Sequence, residues 1–323
     1  MVQGDPARPW RDAWADALYS EGGFYRRPEG PAGHFRTAVH AAPGELAAAV
    51  ARLAAECGCS AVVDVGTGRG ELLRALLGLP GHSLALHGVE IADRPPELPP
   101  EIAWSRTAPR VPDALVVAWE LLDVVPCAIL EVDEEGAVRV VLVDAAGRES
   151  LGPPADPADL AWCTSWWPLQ EREPGDRVEI GRWRDTQWAS LVGGVAVAGG
   201  GVLLAVDYGH HRHGRPPEGS LSGFRAGRAV PPRPDGTTDV TAHVALDAIA
   251  AAGEASGATA TLLTRQDVAL RALGATSAEL LDPGSLGGFG WLLQAVDRPL
   301  PASVVAAQQE RDRERDRERP VRP

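Results

Sequence analysis

The chain has 323 residues, of which 45% are hydrophobic, and this is enough to form the large buried core of an α/β enzyme. Its net charge is −13, which disfavours nonspecific binding to nucleic acid or to anionic membranes. All 31 basic residues are arginines, so any mechanism that requires a lysine Schiff base is excluded.

The cysteines and the apolar runs restrict the class of protein further. Cys57 and Cys59 have no second pair elsewhere in the chain, so neither a disulfide scaffold nor a zinc site is expected. The longest apolar run, residues 192–206, is shorter than the roughly 20 residues that a membrane span requires. Residues 1–10 are polar and do not resemble a signal peptide. We therefore expect a cytoplasmic protein.

The first part of the chain is predicted to alternate between helices and buried strands. Short apolar runs bounded by glycines are typical of parallel strands that are buried on both faces. The predicted elements are a helix over 8–20, a Gly/Pro-rich loop over 21–37, a helix over 44–56, a strand over 61–65, a helix over 71–77, a strand over 84–90, an irregular segment over 91–112 and a strand over 114–118.

The second part of the chain continues this alternation. The predicted elements are a β-hairpin over 129–144, an insertion over 147–176, a helix over 177–199, a strand over 201–206, a loop over 209–238, a helix over 239–252 and strands over 259–263 and 289–296. Strands that alternate with helices indicate a Rossmann-like α/β fold, with a mostly parallel sheet and helices on both faces.

The predicted organisation has three parts. Residues 1–56 form an N-terminal segment of helices and loops that covers the substrate side. Residues 57–303 form the Rossmann-like domain, with an insertion at about 129–176. Residues 304–323 repeat Arg-Asp-Arg-Glu without an apolar face, so a charged, disordered tail is predicted in preference to an isolated helix.

A glycine-rich loop follows the first predicted strand of the sheet and reads Asp64-x-Gly66-x-Gly68-x-Gly70. Glycines let the backbone turn sharply and approach a ligand closely. A dinucleotide-binding loop requires a third glycine where this chain has Glu71, and a carboxylate there would oppose a pyrophosphate. The acid before the first glycine suits a cation instead, such as the sulfonium and amino groups of S-adenosylmethionine (SAM). A structural turn without a ligand is the alternative.

Glu90 ends the second predicted strand of the sheet. Doubly wound folds place at this position the acid that accepts hydrogen bonds from ribose hydroxyls. The predicted cofactor-binding residues are therefore Asp64, Gly66, Thr67, Gly68, Gly70, Glu90 and Ile91. In the alternative reading, Glu90 is incidental to a structural turn.

Acidic residues also follow two later strands, where open α/β sheets bind their ligands. Glu120 and Asp123 are three residues apart and would share one face of a first helical turn. Acids at a helix start can equally be placed there by the helix dipole. Asp207 and Tyr208 lie at the end of another strand, as ligand-binding residues or as a simple turn.

His243 is predicted in the first turn of a helix that Asp239 would cap. A lone histidine is more often a hydrogen-bonded core residue than a base. His210, His211 and His213 lack the carboxylates and spacing of a metal site, so no metal is predicted and a solvated loop is expected.

Three further segments of the sequence carry motifs of their own, beyond the glycine loop. They are residues 118–126, which read Ala-Trp-Glu-Leu-Leu-Asp-Val-Val-Pro, residues 205–209, which read Ala-Val-Asp-Tyr-Gly, and residues 238–244, which read Thr-Asp-Val-Thr-Ala-His-Val. This set resembles the MidA-like family of SAM-dependent methyltransferases, which includes the mitochondrial complex I assembly methyltransferase that modifies an arginine. The likeness runs in order from about Gly23 to Gly274 and covers most of the chain.

The sequence departs from the family pattern at four positions. His34 stands in place of an aspartate, Trp119 in place of an asparagine and Ala92 in place of a serine. Gly227 aligns with a usual histidine. Cofactor binding therefore transfers from the resemblance more directly than the choice of acceptor does.

The resemblance implies a methyltransferase that modifies an arginine of a protein partner, for which a respiratory complex subunit is one candidate. It implies that Glu120 and Asp123 orient the acceptor and that Asp207 and His243 support catalysis. A small-molecule methyltransferase of the same fold is an alternative, because a fold does not fix the substrate. A SAM-binding assembly factor with little turnover is another, suggested by Trp119 and His34. The sequence leaves the oligomeric state open.

Overall fold

The computed structural model describes residues 6–27 and 37–318, so His34 lies outside the described residues. The chain divides into two compact units. Within the described residues, unit 1 comprises 6–27, 120–189 and 207–252, and unit 2 comprises 37–119, 190–206 and 253–318. The predicted boundaries at residues 56 and 303 are therefore not boundaries between units.

The described residues form strands and helices throughout both units. The strands are β1 (Arg8–Pro9), β2 (Ala61–Val65), β3 (Ala85–Val89), β4 (Ile102–Ser105), β5 (Ala114–Trp119), β6 (Ala128–Val132), β7 (Val138–Val143), β8 (Glu149–Pro154), β9 (Arg177–Ile180), β10 (Gly201–Asp207), β11 (Gly209–His210), β12 (Ser222–Arg225), β13 (Arg228–Val230), β14 (Asp239–Thr241), β15 (Val244–Ala245), β16 (Ala260–Arg265) and β17 (Gly290–Val296). The helices are α1 (Trp10–Tyr19), α2 (Ala38–Ala41), α3 (Pro43–Glu56), α4 (Glu71–Leu77), α5 (Pro157–Trp166), α6 (Arg182–Ala198), α7 (Leu246–Ala255), α8 (Gln266–Ala272) and α9 (Ala302–Glu318).

The main sheet has seven strands in the order β16-β17-β10-β5-β2-β3-β4. The pairings from β10 through β5, β2 and β3 to β4 are all parallel. β16 and β17 pair antiparallel to each other. The predicted α/β class is thus confirmed, whereas the prediction of a mostly parallel arrangement holds for only part of the strand pairings in the molecule.

The central strands of this sheet are almost entirely apolar. β5 and β10 contain residues such as Leu115, Val117, Leu203 and Leu204, all of which are fully buried. Fully burying a side chain of this size contributes roughly 1.5–3 kcal/mol. Continuous apolar runs of this kind are expected of parallel strands covered on both faces, so the sequence located these strands correctly.

Unit 1 contains two antiparallel sheets and one short parallel pair. One sheet has the order β1-β7-β6-β9, with β8 also paired to β7, and another has the order β13-β12-β14. β11 and β15 pair in parallel. Helix α1 buries Trp10, Trp14 and Leu18 in a core that also contains Ile129 of β6 and Val141 of β7. These three side chains are spaced four residues apart, so they lie on one face of the helix.

Several predicted elements of the second half are wrong. Residues 177–180 form strand β9 instead of the start of a helix, because they pair with β6. Residues 239–245 form β14 and β15, and the helix begins only at Leu246. The predicted loop over 209–238 contains three strands, β11 to β13, and the irregular segment over 91–112 contains β4. In most of these cases pairing with another segment overrides the local pattern, whereas β12 and β13 form a hairpin with each other.

The predicted disordered tail is also wrong for residues up to 318, which form α9. The first turns of α9 are anchored within unit 2. Val304 is fully buried, and the Ser303 amide donates a hydrogen bond of 3.1 Å to Glu56. The Thr264 hydroxyl donates one of 2.5 Å to Gln308. No helix among the described residues has both the length and the apolar character that crossing a membrane requires.

Candidate functional site

The glycine loop, defined as residues 64–70, turns sharply between β2 and α4. Gly66, Gly68 and Gly70 have φ angles of 76°, 60° and 83°. These values lie in the left-handed region, which residues with a Cβ atom rarely adopt. A Cβ atom on Gly70 would lie 2.7 Å from a methyl group of Leu98. The alternating glycines are therefore required by the backbone, as the sequence indicated.

Two carboxylates hold the shape of the glycine loop. Glu90 accepts hydrogen bonds from the amides of Gly68 at 3.1 Å and Ile91 at 2.7 Å. Asp64 accepts one of 2.7 Å from the Thr67 hydroxyl. The predicted cofactor-binding residues are thus connected to one another within unit 2. Contact between Glu90 and a ribose stays a prediction.

Three carboxyl groups interact in and beside the glycine loop, those of Asp64, Glu71 and Glu90. Burial is the main cause that raises the pKa of Asp64 to about 7; repulsion from Glu71 and Glu90 contributes, and the hydrogen bond from Thr67 opposes the shift. Burial also raises the pKa of Glu90. The loop's arginine, Arg69, binds Glu97 at 2.9 Å. Such a loop favours a cationic ligand and opposes a phosphate, so its residues fit a sulfonium cofactor.

In unit 1, Glu120 and Asp123 lie on a turn that follows β5, not on a first helical turn, and this prediction is wrong. Glu120 has a φ of 51°, which a helix does not allow. The amides of Leu122 and Asp123 donate hydrogen bonds of 2.8 Å and 3.1 Å to one side-chain oxygen of Asp207. Asp207 therefore shapes the turn, and the two acids do not share a helical face.

The structure does bring Asp123 and Asp207 together. Both are buried, and burial raises both pKa values, to about 6 for Asp123 and well above the usual range for Asp207. Repulsion from Asp123 and Glu120 adds to the shift of Asp207. Like charges at close range cannot all ionise freely, so this pair retains a proton more readily than isolated carboxyls do.

Arg184 is the buried cation beside these acids, and sequence reasoning missed it. Its guanidinium donates hydrogen bonds of 2.7–3.1 Å to four backbone carbonyls, those of Asp123, Val125, Ala242 and His243. It lowers the pKa of Asp123 and Asp207 through space. Nothing in the local sequence distinguishes Arg184 from Arg182, the other arginine of α6.

Asp239 is a further buried acid that sequence reasoning assigned to another role. It lies in β14 instead of capping a helix, and it is 3% exposed. Burial raises its pKa well above the usual range, and Asp123 raises it further. Glu120, Asp123, Asp207 and Asp239 are hereafter the acidic cluster. The described residues contain no group of three or more side chains arranged to hold a metal ion.

His243 lies between β14 and β15, so its predicted place in a helix is also wrong. Its amide donates to the Ser220 hydroxyl at 2.9 Å, and its ring stacks on Tyr208 with 6.2 Å between centroids. His243 is exposed, yet partial desolvation of the ring lowers its pKa, so the imidazole is neutral near pH 7. Burial lowers the pKa of neighbouring His210 to about 3.

Comparison with known families identifies the chain. A family model described as "Putative S-adenosyl-L-methionine-dependent methyltransferase" matches residues 79–264, more than half of the sequence. The chain belongs to this family. It is therefore a SAM-dependent methyltransferase, and S-adenosyl-L-methionine is its cofactor.

Two solved structures share the fold of this methyltransferase. One is a "likely methyl transferase" from Burkholderia thailandensis bound to S-adenosyl-homocysteine, with 21% identity, 93% of this chain and 90% of that chain covered, and a TM-score of 0.75. The other is an uncharacterized protein of the same superfamily and organism, with 22% identity, 92% and 90% covered, and a TM-score of 0.74. No curated protein sequence matches the chain.

The family match bears differently on the two groups of predicted residues. It includes Glu90 and all the predicted catalytic residues, which are Glu120, Asp123, Asp207 and His243. It begins after the glycine loop, whose assignment to the cofactor therefore depends on its geometry and charge. The roles of individual side chains stay predictions for both groups.

Proposed function

We propose that this methyltransferase N-methylates the guanidinium group of an arginine on a protein partner, as its MidA-like resemblance implies. The observation that carries the proposal is the acidic cluster. Asp123, Asp207 and Asp239 are buried. Arg184 lies near Asp123 and Asp207, and its hydrogen bonds go to backbone carbonyls instead of carboxylates. A guanidinium is the cation best suited to paired hydrogen bonds with carboxylates.

The acceptor would bind first to Asp123. Its Oδ1 atom is buried and has no hydrogen-bond partner among the described residues. Leaving a carboxylate oxygen in this state costs free energy that an incoming N–H group would recover. Glu120 faces the same acids, since it raises the pKa of Asp207 by repulsion, and in our proposal it orients the second edge of the guanidinium.

Methylation of a guanidinium nitrogen releases a proton. Asp123, with a pKa of about 6, can hold that proton on Oδ1 near neutral pH. His243 is neutral at this pH and exposed, so we assign it the transfer of the proton to solvent. Asp207 keeps the turn of Glu120 and Asp123 in place through its two amide contacts.

We assign cofactor binding to the glycine loop and to the end of β3. Gly66, Gly68 and Gly70 shape the loop, Asp64 meets the amino end of the cofactor, and Glu90 meets its ribose. The carboxylates of this loop repel one another, so a cationic ligand would relieve their repulsion. When bound, S-adenosyl-L-methionine supplies an electrophilic methyl group.

One observation favours a small-molecule acceptor as the second candidate. Trp119 stands where the family has an asparagine, and its ring meets Trp291 edge to face, with 5.3 Å between centroids. The indole Nε1 atoms of both are buried and without a partner in the described parts of the chain. Two adjacent indole rings with unpaired N–H donors would suit an acceptor molecule that has an apolar ring with an oxygen atom.

Transfer from isotope-labelled SAM separates the candidates. We expect a labelled protein band in a bacterial lysate, and in a respiratory-complex fraction if a subunit of that complex is the partner. Mass spectrometry of the band should locate the label on an arginine. A labelled metabolite with no labelled protein would favour the small-molecule acceptor. Calorimetric binding of SAM without transfer to either would favour an assembly factor with little turnover.

A further inference from the structure

Tyr25 and Asp239 form a buried hydrogen-bonded pair in unit 1. Tyr25 lies on a short turn, Phe24–Arg26, and Asp239 is the first residue of β14. The Tyr25 hydroxyl lies 3.1 Å and 3.2 Å from the two carboxylate oxygens of Asp239. The residues are far apart in the sequence, so the contact exists only because the N-terminal segment folds onto β14.

The surroundings of Tyr25 fix the direction of its hydroxyl. Its ring stacks on Tyr19 with 5.7 Å between centroids and meets Phe24 edge to face at 5.3 Å. The Tyr19 hydroxyl in turn donates a hydrogen bond of 2.9 Å to the backbone carbonyl of Val124, which follows Asp123 in the sequence. The same aromatic stack therefore contacts Asp239 and the turn that carries Asp123.

Asp239 is poorly compensated for a buried carboxylate. Among the described side chains, its hydrogen bonds come from Tyr25, and no arginine or histidine donates to it. The charged and titratable groups around it are Tyr25, Tyr19, Asp123, Tyr208 and, through Asp123, Asp207, Glu120 and Arg184. Burial therefore keeps Asp239 protonated to a higher pH than an exposed aspartate, and a bound cation would favour its ionised form.

We propose that Asp239, oriented by the Tyr25 hydroxyl, is a further acceptor-binding carboxylate that makes the enzyme prefer a cationic acceptor over a neutral one of the same shape. The inference rests on the proposed function, because it adds a residue to the acidic cluster. Tyr25 acts through Asp239 and is a positioning residue. The competing explanation is a structural hydrogen bond that only ties the N-terminal segment to β14.

The test uses two probes that differ in charge but hardly in shape. N-acetyl-arginine methylamide carries a guanidinium, and N-acetyl-citrulline methylamide carries a neutral urea in its place. Binding to the full chain saturated with S-adenosyl-homocysteine is followed by NMR titration at several pH values. We expect the wild type to prefer the arginine probe, and Asp239→Asn to weaken that probe about ten-fold while leaving the citrulline probe unchanged.

Tyr25→Phe tests the orientation separately. The Tyr25 hydroxyl lowers the pKa of Asp239, so its loss should raise that pKa. Affinity for the arginine probe should then require a higher pH, with the wild-type affinity regained at the alkaline end. Tyr19→Phe is the matched control: it loses a hydroxyl from the same stack, and we expect its pH profile to stay that of the wild type.

The outcomes separate the two proposals. A wild type that does not distinguish the arginine probe from the citrulline probe would overturn the proposed cationic acceptor itself. A wild type that distinguishes them, with Asp239→Asn and Tyr25→Phe behaving identically to it, would overturn only the role of Asp239. Should Asp239→Asn fail to fold, the pH profile of Tyr25→Phe decides alone: an unshifted profile contradicts the inference.

Discussion

The glycine loop with the adjacent Glu90 and the acidic cluster both contain carboxyl groups shielded from solvent, but the hydrogen-bond partners of these groups differ. In the loop, Asp64 and Glu90 accept hydrogen bonds from a hydroxyl and from backbone amides nearby. In the cluster, an oxygen of Asp123 has no partner among the described residues, and Arg184 donates to carbonyls. The hydrogen bonds of the loop carboxyls are thus made within the protein, whereas one carboxyl oxygen of the cluster is left for a hydrogen-bond donor of the acceptor.

The largest expected effect breaks the cluster while leaving the loop intact. Glu120→Gln keeps the size of the side chain but removes the charge that orients the acceptor. We expect methyl transfer to fall about 1000-fold, within the range for loss of a positioned catalytic group. The affinity for SAM, measured by calorimetry, should stay nearly unchanged because the cofactor residues belong to unit 2.

Glu134→Gln is the matched control for this variant. Glu134 is an exposed acid on the β6–β7 turn of the same unit, and its replacement should leave transfer unaltered. A loss of SAM binding in Glu120→Gln would show that Glu120 serves the cofactor and that its assigned role is wrong.

Arg184→Met tests how far the cluster depends on its buried cation. The substitution removes four hydrogen bonds to carbonyls and the positive charge that lowers the pKa of Asp123 and Asp207. We expect the free energy of unfolding in urea to fall by about 3–5 kcal/mol, as for other broken buried charge networks. Arg228→Met, at an exposed position of unit 1, should change it by less than about 0.5 kcal/mol. Equal values for the two variants would contradict the role of Arg184.

Gly70→Ala tests the loop in the same terms. The left-handed φ of 83° and the approach to Leu98 oppose any Cβ atom at this position. We expect a loss of about 1–3 kcal/mol in stability and a weaker affinity for SAM, measured by calorimetry. Gly44→Ala, with nothing within 4 Å of the added carbon, is the control in unit 2. Unchanged SAM affinity in Gly70→Ala would separate the loop from the cofactor.

The smallest expected effect is the pH dependence of stability and of SAM binding that the titration of Asp64 in the glycine loop produces. The pKa of Asp64 is raised from 3.8 to about 7, so the folded state binds this proton more tightly than the unfolded state. Asp64 therefore stabilises the ligand-free fold fully below pH 3.8, and this contribution is lost as the pH rises through about 7.

SAM affinity should follow the opposite course, because the cation requires the ionised form of Asp64. We expect affinity to weaken by a few-fold as the pH falls below the Asp64 pKa of about 7, and Asp64→Asn to abolish this dependence. Asp123→Asn, in the other unit, should keep it. If Asp64→Asn retained the wild-type pH profile of SAM binding, the assignment of Asp64 would be wrong.

The two regions also differ in what the sequence reveals of them. The glycine loop could be predicted because Asp64 to Glu90 form one strand–turn–helix–strand unit whose hydrogen bonds are local. The acidic cluster draws Tyr25, Asp123, Arg184 and Asp239 from separate segments. Their meeting depends on pairings such as β12 with β14, for which no local pattern exists. For this reason the local sequence predicts a helix cap at Asp239, where the structure has the first residue of β14.

Asp207 couples charge to shape in the cluster. The same carboxylate oxygen that repels Asp123 electrostatically also accepts the two amides that fold the turn of Glu120 and Asp123. A proton arriving on that oxygen weakens both contacts at once. The protonation state of Asp207 and the conformation of the turn at this end of β10 are consequently linked. A substrate that changes the protonation of Asp207 would also change the turn.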